Sequence, residues 1–342
     1  MAETTVSSVT KCQPNVEPKS EICDKEYEYY SQEFKDLFKS LPREKGWSSP
    51  YIYLYQEIWY PPVPLQGVLS FQKHFQAKDS DVVMASLPKS GTTWLKALTF
   101  AIMNRKYFSP SQSNHPLLIS NAHELVPFLE LNYSGNYQIP DLSNLPQPRL
   151  FGTHVPFHSL PNSTIKSKCK IIYICRNPFD QFVSLWSFMN KIKPPSLPKL
   201  SCEEAFERYC LGTQDGGPVW THIMSYWKES KSTPLKVLFL KYADLKGDIQ
   251  SSLTRMADFL ECPFTSEEES DGVIKNIIEL CSFEKMKELE VNKTGKLLQQ
   301  FENKDYFRKG KVGDWVNHFT PLMVEKLSKL VDEKLDGSGL SF

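Results

Sequence analysis

Asp81-Val82-Val83-Met84-Ala85-Ser86-Leu87-Pro88-Lys89-Ser90-Gly91-Thr92-Thr93-Trp94-Leu95 passes from a short apolar run into a helical pattern through a turn rich in hydrogen-bond donors. The apolar run has the length of a buried strand, and Trp94, Leu95, Leu98, Ala101 and Ile102 then recur at helical spacing. The turn therefore sits at a helix N-terminus. There the first backbone N–H groups lack helical partners and the dipole is positive, so main chain can hold an anion, with Lys89, Ser90, Thr92 and Thr93 adding donors. The pattern resembles a Walker A loop but is not one, because the lysine precedes the glycine and position 86 is serine. An ordinary strand-to-helix turn carrying a surface lysine is the plain alternative.

Around that turn, 342 residues with 40% hydrophobic content suffice for a large core. The 40 Lys and Arg residues balance the 40 Asp and Glu residues. Zero formal charge argues against a nucleic-acid or membrane-surface protein, so an anionic partner must be met by a local cluster. No apolar run approaches a membrane span, and Glu3, Glu17, Glu21 and Asp24 speak against a transit peptide, which makes the cytoplasm the expected location. Eight scattered cysteines without paired or zinc-type spacing read as reduced structural thiols.

Strand-like runs at 81–87, 149–155, 170–176 and 236–242 alternate with helical patterns. That alternation predicts an α/β fold, a central mostly parallel sheet flanked by helices on both faces. Residues 1–24 are polar and unpatterned and are expected to be a disordered tail, leaving 25–342 as a single domain. Ser201 and Glu204 read as a capping box, Gly212 as a stop, and Thr320-Pro321 as the start of a final helix. Pro61, Pro62 and Pro64 read as turns or loops, and 291–306 as a long exposed loop.

A second constellation, Ile174-Cys175-Arg176-Asn177-Pro178 with Ser184, places a guanidinium at the end of an apolar strand and a hydroxyl about two turns into the following helix. It reads as a second anion site, with a structural salt bridge as the alternative. A third, Phe307-Arg308-Lys309-Gly310-Lys311-Val312-Gly313-Asp314-Trp315, suggests a folded turn bringing backbone N–H groups and cations onto one oxyanion.

Leu87-Pro88-Lys89-Ser90-Gly91-Thr92-Thr93-Trp94, Gly152-Thr153-His154-Val155-Pro156, Cys175-Arg176-Asn177-Pro178 with Ser184, and Phe307-Arg308-Lys309-Gly310 with Gly313-Asp314-Trp315 resemble, in that order, the cytosolic sulfotransferases. Leu95-Lys96-Ala97-Leu98-Thr99-Phe100-Ala101-Ile102 is similar to the plant branch, which sulfates flavonols, hydroxyjasmonates, brassinosteroids and desulfoglucosinolates. The resemblance spans roughly 45–335 and implies the sulfotransferase fold, with 3′-phosphoadenosine 5′-phosphosulfate (PAPS) as co-substrate and no metal. It further implies that Lys89, Ser90, Gly91, Thr92 and Thr93 hold the 5′-phosphate. Trp94 and Phe283 would flank the adenine, with Ser282 beside them and Tyr242 touching the nucleotide. Arg176, Ser184, Arg308, Lys309 and Gly310 would bind the 3′-phosphate.

His154 is the candidate general base. It follows the strand at 149–153 and so reaches the same sheet edge as Lys89, where open α/β sheets bind ligands. An imidazole there can take the proton of an acceptor hydroxyl as its oxygen attacks sulfur, while Lys89 stabilises the leaving phosphate. His158, after Pro156, is a less well placed competitor. Two rival readings are a P-loop kinase or NTPase, with Asp244 as its acid, and a non-catalytic nucleotide-binding protein. Asp244 reads more simply as a helix N-cap.

Trp59, Tyr60, Phe128, Tyr133, Tyr137 and Phe157 could line an acceptor pocket, with a flavonoid-like phenol favoured over a hydroxyjasmonate or steroid. The segment His318-Phe319-Thr320-Pro321 interrupts, at its proline, the Lys-x-x-x-Thr-Val-x-x-x-Glu pattern through which animal relatives dimerise. A monomer is expected, and light scattering should return a mass near 39.4 kDa. A mass of twice that value refutes the expectation.

Overall fold

Val82–Ser86 is buried at every position, as a strand with helices on both faces must be. It is the inner member of a four-stranded parallel sheet with Leu150–Thr153, Lys170–Cys175 and Val237–Lys241. Numbering strands along the chain, these are β4 (Val82–Ser86), β5 (Leu150–Thr153), β6 (Lys170–Cys175) and β7 (Val237–Lys241), in the spatial order β5-β4-β6-β7. Register runs straight across: Met84 faces Gly152 on one side and Ile172 on the other, and Ile172 faces Leu238. The α/β reading, with these four strands, is therefore correct. Because β5 and β6 leave β4 on opposite sides, a crevice opens at the carboxyl edge beside β4, the usual ligand position in such sheets.

The computed structural model describes residues 32–133, 140–142, 145–297 and 301–342. The expected tail at 1–24 lies outside them. The chain divides into two compact units, Met1–Ser40 and Leu41–Phe342. In the first, the described part is the amphipathic helix Gln32–Ser40. Everything below concerns the second.

Side-chain alternation sorts the sheet residues into two cores. Met84, Ile172, Ile174, Leu238 and Leu240 pack with helices Thr92–Asn104, Ile249–Phe259 and Val273–Leu280. On the opposite face Tyr173 stacks on Tyr226 at 4.3 Å, and Phe239 meets Trp227 at 5.0 Å, both partners coming from helix Val219–Ser232. At the amino edge Asp81 and Arg149, immediately before β4 and β5, form a two-pronged pair of 2.8 and 2.6 Å. Arg149 is 5% and Asp81 0% exposed, so this pair clamps the two strands in register without competition from water.

Local signals behave as their chemistry demands. Ser201 caps Cys202–Leu211, though only half of the capping box forms, since the Glu204 carboxylate pairs with Arg208; Gly212 ends that helix in the left-handed region, and Thr320 caps Pro321–Leu335. Other expectations need correction. Pro61, Pro62 and Pro64 do not form a loop: they start helix Pro62–His74, where the missing N–H costs nothing. Asp244 is not an N-cap, because the helix starts earlier, at Tyr242, with Lys241 in the capping position. The segment 291–306 is not a long loop. It holds the end of helix Glu290–Thr294, the hairpin strands β8 (Lys296–Leu297) and β9 (Phe301–Glu302), and the 3₁₀ turn Asn303–Tyr306. Its asparagines, which suggested exposure, are buried and turn their amides inward: Asn292 donates to the Met286 carbonyl at 2.7 Å and Asn303 to that of Val291 at 2.9 Å. A further three-stranded antiparallel sheet, β1 (Arg43–Lys45), β2 (Tyr51–Tyr55) and β3 (Ile58–Tyr60), precedes the parallel one.

Removing one partner of the Asp81–Arg149 pair leaves a buried charge uncompensated, at a cost of about 3–5 kcal/mol. Asp81→Ala should therefore melt well below wild type in calorimetry, and Asp81→Ala/Arg149→Met should recover part of the loss. A double variant less stable than the single one contradicts this account.

Candidate active site

The turn after β4 is shaped by backbone before side chains. Lys89 adopts φ 66° and Gly91 φ 109°. A Cβ at Gly91 would lie 2.8 Å from the Tyr242 ring, so only glycine lets the chain pass under Tyr242 into helix Thr92–Asn104. Ser86 and Thr92 exchange a hydroxyl hydrogen bond of 2.6 Å across the turn. The first-turn amides thereby face the crevice, with no helical acceptors of their own. Lys89 curls over the same opening: its Nζ lies 4.0 Å from the Phe188 ring centroid and 3.5 Å from the Asp305 carbonyl. Burial pulls its ammonium down to about 7, helped by repulsion from Arg176, Arg308 and Lys191 and opposed by Asp305.

His154 stands one residue beyond β5, half-buried between buried neighbours. Its Nδ1 lies 2.7 Å from the Ser86 carbonyl, an acceptor, so Nδ1 carries the proton and donates. Nε2 is left as a lone pair, with no hydrogen bond among the described residues. Three groups fix the backbone beneath it. Glu130 accepts from the His154 amide at 2.7 Å and from the Thr153 hydroxyl at 2.9 Å. His222 donates from Nε2 to the His154 carbonyl at 3.0 Å, and Tyr226 donates to Val155 at 2.7 Å. Burial pushes the His154 imidazole down to about 3, the Ser86 contact opposing and Lys96 and Lys89 adding repulsion. Glu130 moves the other way, raised by burial against its hydrogen bonds.

At the far side of the crevice, β6 delivers Arg176 beneath Tyr242, whose ring lies 4.9 Å from the guanidinium. Arg176 donates to the Lys311 carbonyl at 2.7 Å and sits 3.8 Å from Asp180, which accepts from the Gly313 and Trp315 amides. Arg308 and Lys309 both reach Asp314, at 2.6 and 2.7 Å. Burial would raise that carboxyl, but the two cations hold it well below the usual range. The Nε atoms of Arg176 and Arg308 remain buried with no hydrogen-bond partner. Guanidinium donors left unpaired beside a cavity call for an oxyanion.

Both ends open into one cavity of about 300 Å³. Lys89, Gly91, Thr92, Thr93 and Trp94 line it from the turn, and His154 from β5. Arg176, Ser184, Tyr242, Phe283, Arg308, Lys309 and Gly310 line it from the other side. Ser90 and Ser282 are not in its wall: Ser90 is buried and turns its amide to Leu87, and Ser282 uses its hydroxyl to cap helix Phe283–Glu288.

Residues 79–339 match the family model of the sulfotransferase domain. Cytosolic sulfotransferase 15 of Arabidopsis thaliana is 53% identical over 95% of this chain and 90% of its own length, and cytosolic sulfotransferase 14 of the same plant is 52% identical over 93% and 92%. The chain belongs to the sulfotransferase family. A solved structure of an Arabidopsis thaliana protein, described as a candidate steroid sulphotransferase, is 41% identical with a TM-score of 0.73, covering 96% of this chain and 100% of that one. A mouse sulfotransferase solved with PAP is 26% identical with a TM-score of 0.65, covering 84% and 96%. As a sulfotransferase of the cytosolic type, the protein is an enzyme, which removes the kinase and the non-catalytic readings.

Of the aromatic residues expected in this sulfotransferase's acceptor pocket, Tyr60 and Phe128 line the cavity. Phe157 and Tyr133 instead pack into the core, against Tyr226 and Phe71, and Trp59 is likewise not in the wall. Tyr137 lies outside the described residues. Further apolar wall comes from places the sequence reading did not assign to the pocket, among them Phe188, Met189 and Ile192 on helix Pro178–Ile192, and Leu297 and Phe301 on β8 and β9. Helix 178–192 is apolar nearly all round, which disguised a cavity face as core. His158 is exposed and bonds the Gln56 carbonyl, away from His154's role.

Since burial keeps the His154 ring neutral, its ¹³Cε1 NMR signal in the nucleotide-free enzyme should stay flat between pH 5 and 8. A midpoint near the ordinary value of about 6.5 would contradict that environment.

Proposed function

We propose that this enzyme moves the sulfuryl group of PAPS to a hydroxyl of a small, largely apolar acceptor. The observation that carries the reading is a single cavity walled by the Lys89 turn, by His154 and by Arg176 and Arg308, whose buried Nε atoms have no hydrogen-bond partner. A donor with phosphate at both 3′ and 5′ positions needs two separate cationic ends, and the cavity has two. The family membership and the PAP found in the mouse neighbour support the same donor.

In this reading the amides of Gly91 to Trp94, with Lys89, hold the 5′ end, and Arg176, Ser184, Arg308, Lys309 and the Gly310 backbone hold the 3′ end. Trp94 and Phe283 offer ring faces to the adenine. The donor brings a sulfuryl group bonded to a phosphate leaving group. Lys89 Nζ and the first-turn amides stabilise the negative charge that gathers on that phosphate. His154 Nε2 accepts the acceptor's hydroxyl proton, the Ser86 carbonyl holding the ring in the tautomer that can do so. Its low basicity in the empty cavity reflects burial and neighbouring lysines, and an anionic donor offsets their charge. No metal is required, because sulfuryl transfer moves less charge than phosphoryl transfer.

For the acceptor we favour a flavonoid-like phenol. Tyr60, Phe128, Phe188 and Phe301 give the cavity broad ring surfaces beside His154, suited to a flat aromatic alcohol. A hydroxylated steroid is the second class, favoured by the description of the Arabidopsis neighbour. The protein is taken to act as a monomer on small molecules.

Thermal shift with PAP, ADP and ATP tests the donor: PAP should raise the melting temperature most, and equal shifts would remove the case for two anion ends. For the base, His154→Ala should lower kcat roughly 10²- to 10⁴-fold with PAP affinity nearly unchanged. Arg176→Ala should do the opposite, weakening PAP far more than ADP. Transfer should persist in EDTA, and a requirement for Mg²⁺ would overturn the metal-free mechanism.

A further inference from the structure

Lys96 is fully buried, an unusual place for a lysine. It lies one turn beyond Thr93 on the inner face of helix Thr92–Asn104. Its Nζ sits 3.1 Å from the Phe128 ring centroid and 3.2 Å from Nδ1 of His123, and no carboxylate approaches within ion-pair distance among the described residues. Space for it exists because residue 152 is glycine: a Cβ there would fall 2.2 Å from Lys96 Cε. His123 is buried too, stacked on Phe128 at 5.0 Å and tilted against Tyr306 at 4.6 Å. Its Nε2 lies 2.9 Å from the hydroxyl of Thr93, in the first turn of the helix that opens the phosphate site. Neither the turn nor His154 explains why a lysine and a second histidine are buried in series behind Thr93.

Proton bookkeeping along the chain gives an answer. The Lys96 amine carries N–H groups that need acceptors, and those within reach are the Phe128 ring face and His123 Nδ1. If Nδ1 accepts, neutral His123 carries its proton on Nε2 and donates it to Thr93 Oγ1. With that oxygen accepting, the Thr93 O–H turns to the cavity that Thr93 lines. Burial disfavours the charged forms of both Lys96 and His123, in keeping with a neutral ring that passes orientation rather than charge.

We propose that Lys96 and His123 are positioning residues that fix the Thr93 hydroxyl as a hydrogen-bond donor to the 5′ anionic group of the donor nucleotide. The proposal rests on the PAPS reading for its ligand, while the tautomer it requires is a property of the protein alone. The opposite arrangement, with Lys96 accepting from Nδ1–H and Thr93 donating to Nε2, would aim the hydroxyl away from the cavity.

Two measurements decide it. Long-range ¹H–¹⁵N NMR of the nucleotide-free wild-type enzyme, with His123→Gln to assign the signals, should show His123 protonated at Nε2; protonation at Nδ1 overturns the proposal. Calorimetric titration of PAP should show Thr93→Val and Lys96→Met each weakening binding roughly 10- to 100-fold, the span of a hydrogen bond to a charged group. In the Thr93→Val background, Lys96→Met should cost less than twofold more, and Thr93→Ser should bind as wild type. Additive losses would show that Lys96 acts otherwise than through Thr93. If Lys96→Met does not fold, the wild-type tautomer still decides. Failure of wild type to prefer PAP over ADP would count against the PAPS reading and leave the tautomer result standing.

Discussion

Mutual repulsion among cations is the constraint around which this enzyme is arranged. Lys89, Arg176 and Arg308 share one cavity, and after burial itself it is Arg176, Arg308 and Lys191 that depress the Lys89 ammonium. Unaided side chains would spread apart. They are kept together because each is planted on rigid backbone: Lys89 in a turn closed over Gly91, Arg176 at the end of a buried strand, and Arg308 in a segment tied to Asp314. Asp180 and Asp314 moderate the repulsion, while the Nε atoms of Arg176 and Arg308 stay buried without a hydrogen-bond partner. In the proposed reading a doubly anionic nucleotide would offset that repulsion, with the cations already held in place to meet it.

His154 works under a related constraint. Burial makes this imidazole a weaker base, Lys96 and Lys89 add to that, and in the proposed reaction Lys89 is also the group that stabilises the leaving phosphate. The fold answers by fixing orientation: the Ser86 carbonyl sets the tautomer, and Glu130, His222 and Tyr226 fasten the backbone on each side of the ring. With geometry settled in advance, the proton transfer proposed for His154 would need little reorganisation, which is where preorganised sites gain most.

Much of this was legible in the chain. Four apolar runs located the parallel sheet because strands buried on both faces need uninterrupted hydrophobic sequence, and the turn at 87–91 announced itself through donors at a strand-helix junction. Lys89, Arg176 and His154 were found because each follows such a strand. What stayed hidden depends on contacts between distant segments. Lys96 looks like an ordinary helix residue until Gly152, 56 positions later, is seen to make room for it. Glu130 and His123 carry no motif, and their roles arise only when the segment before β5 folds against β4's helix. The strand pair Lys296–Leu297 and Phe301–Glu302 was obscured by flanking asparagines whose amides turn inward to backbone carbonyls, a bonding pattern that composition cannot reveal.

Helix Pro178–Ile192 carries Asp180 beside Arg176 in its first turn and then presents Ser184, Phe188, Met189 and Ile192 to the cavity, which the proposed reading divides between nucleotide and acceptor. A single rigid rod thus serves both compartments. Its tilt is common property: in the proposed reading, reshaping its far turns for a bulkier alcohol would also shift Ser184, whereas the short strands bearing Leu297 and Phe301 contribute to the same wall from a separate segment.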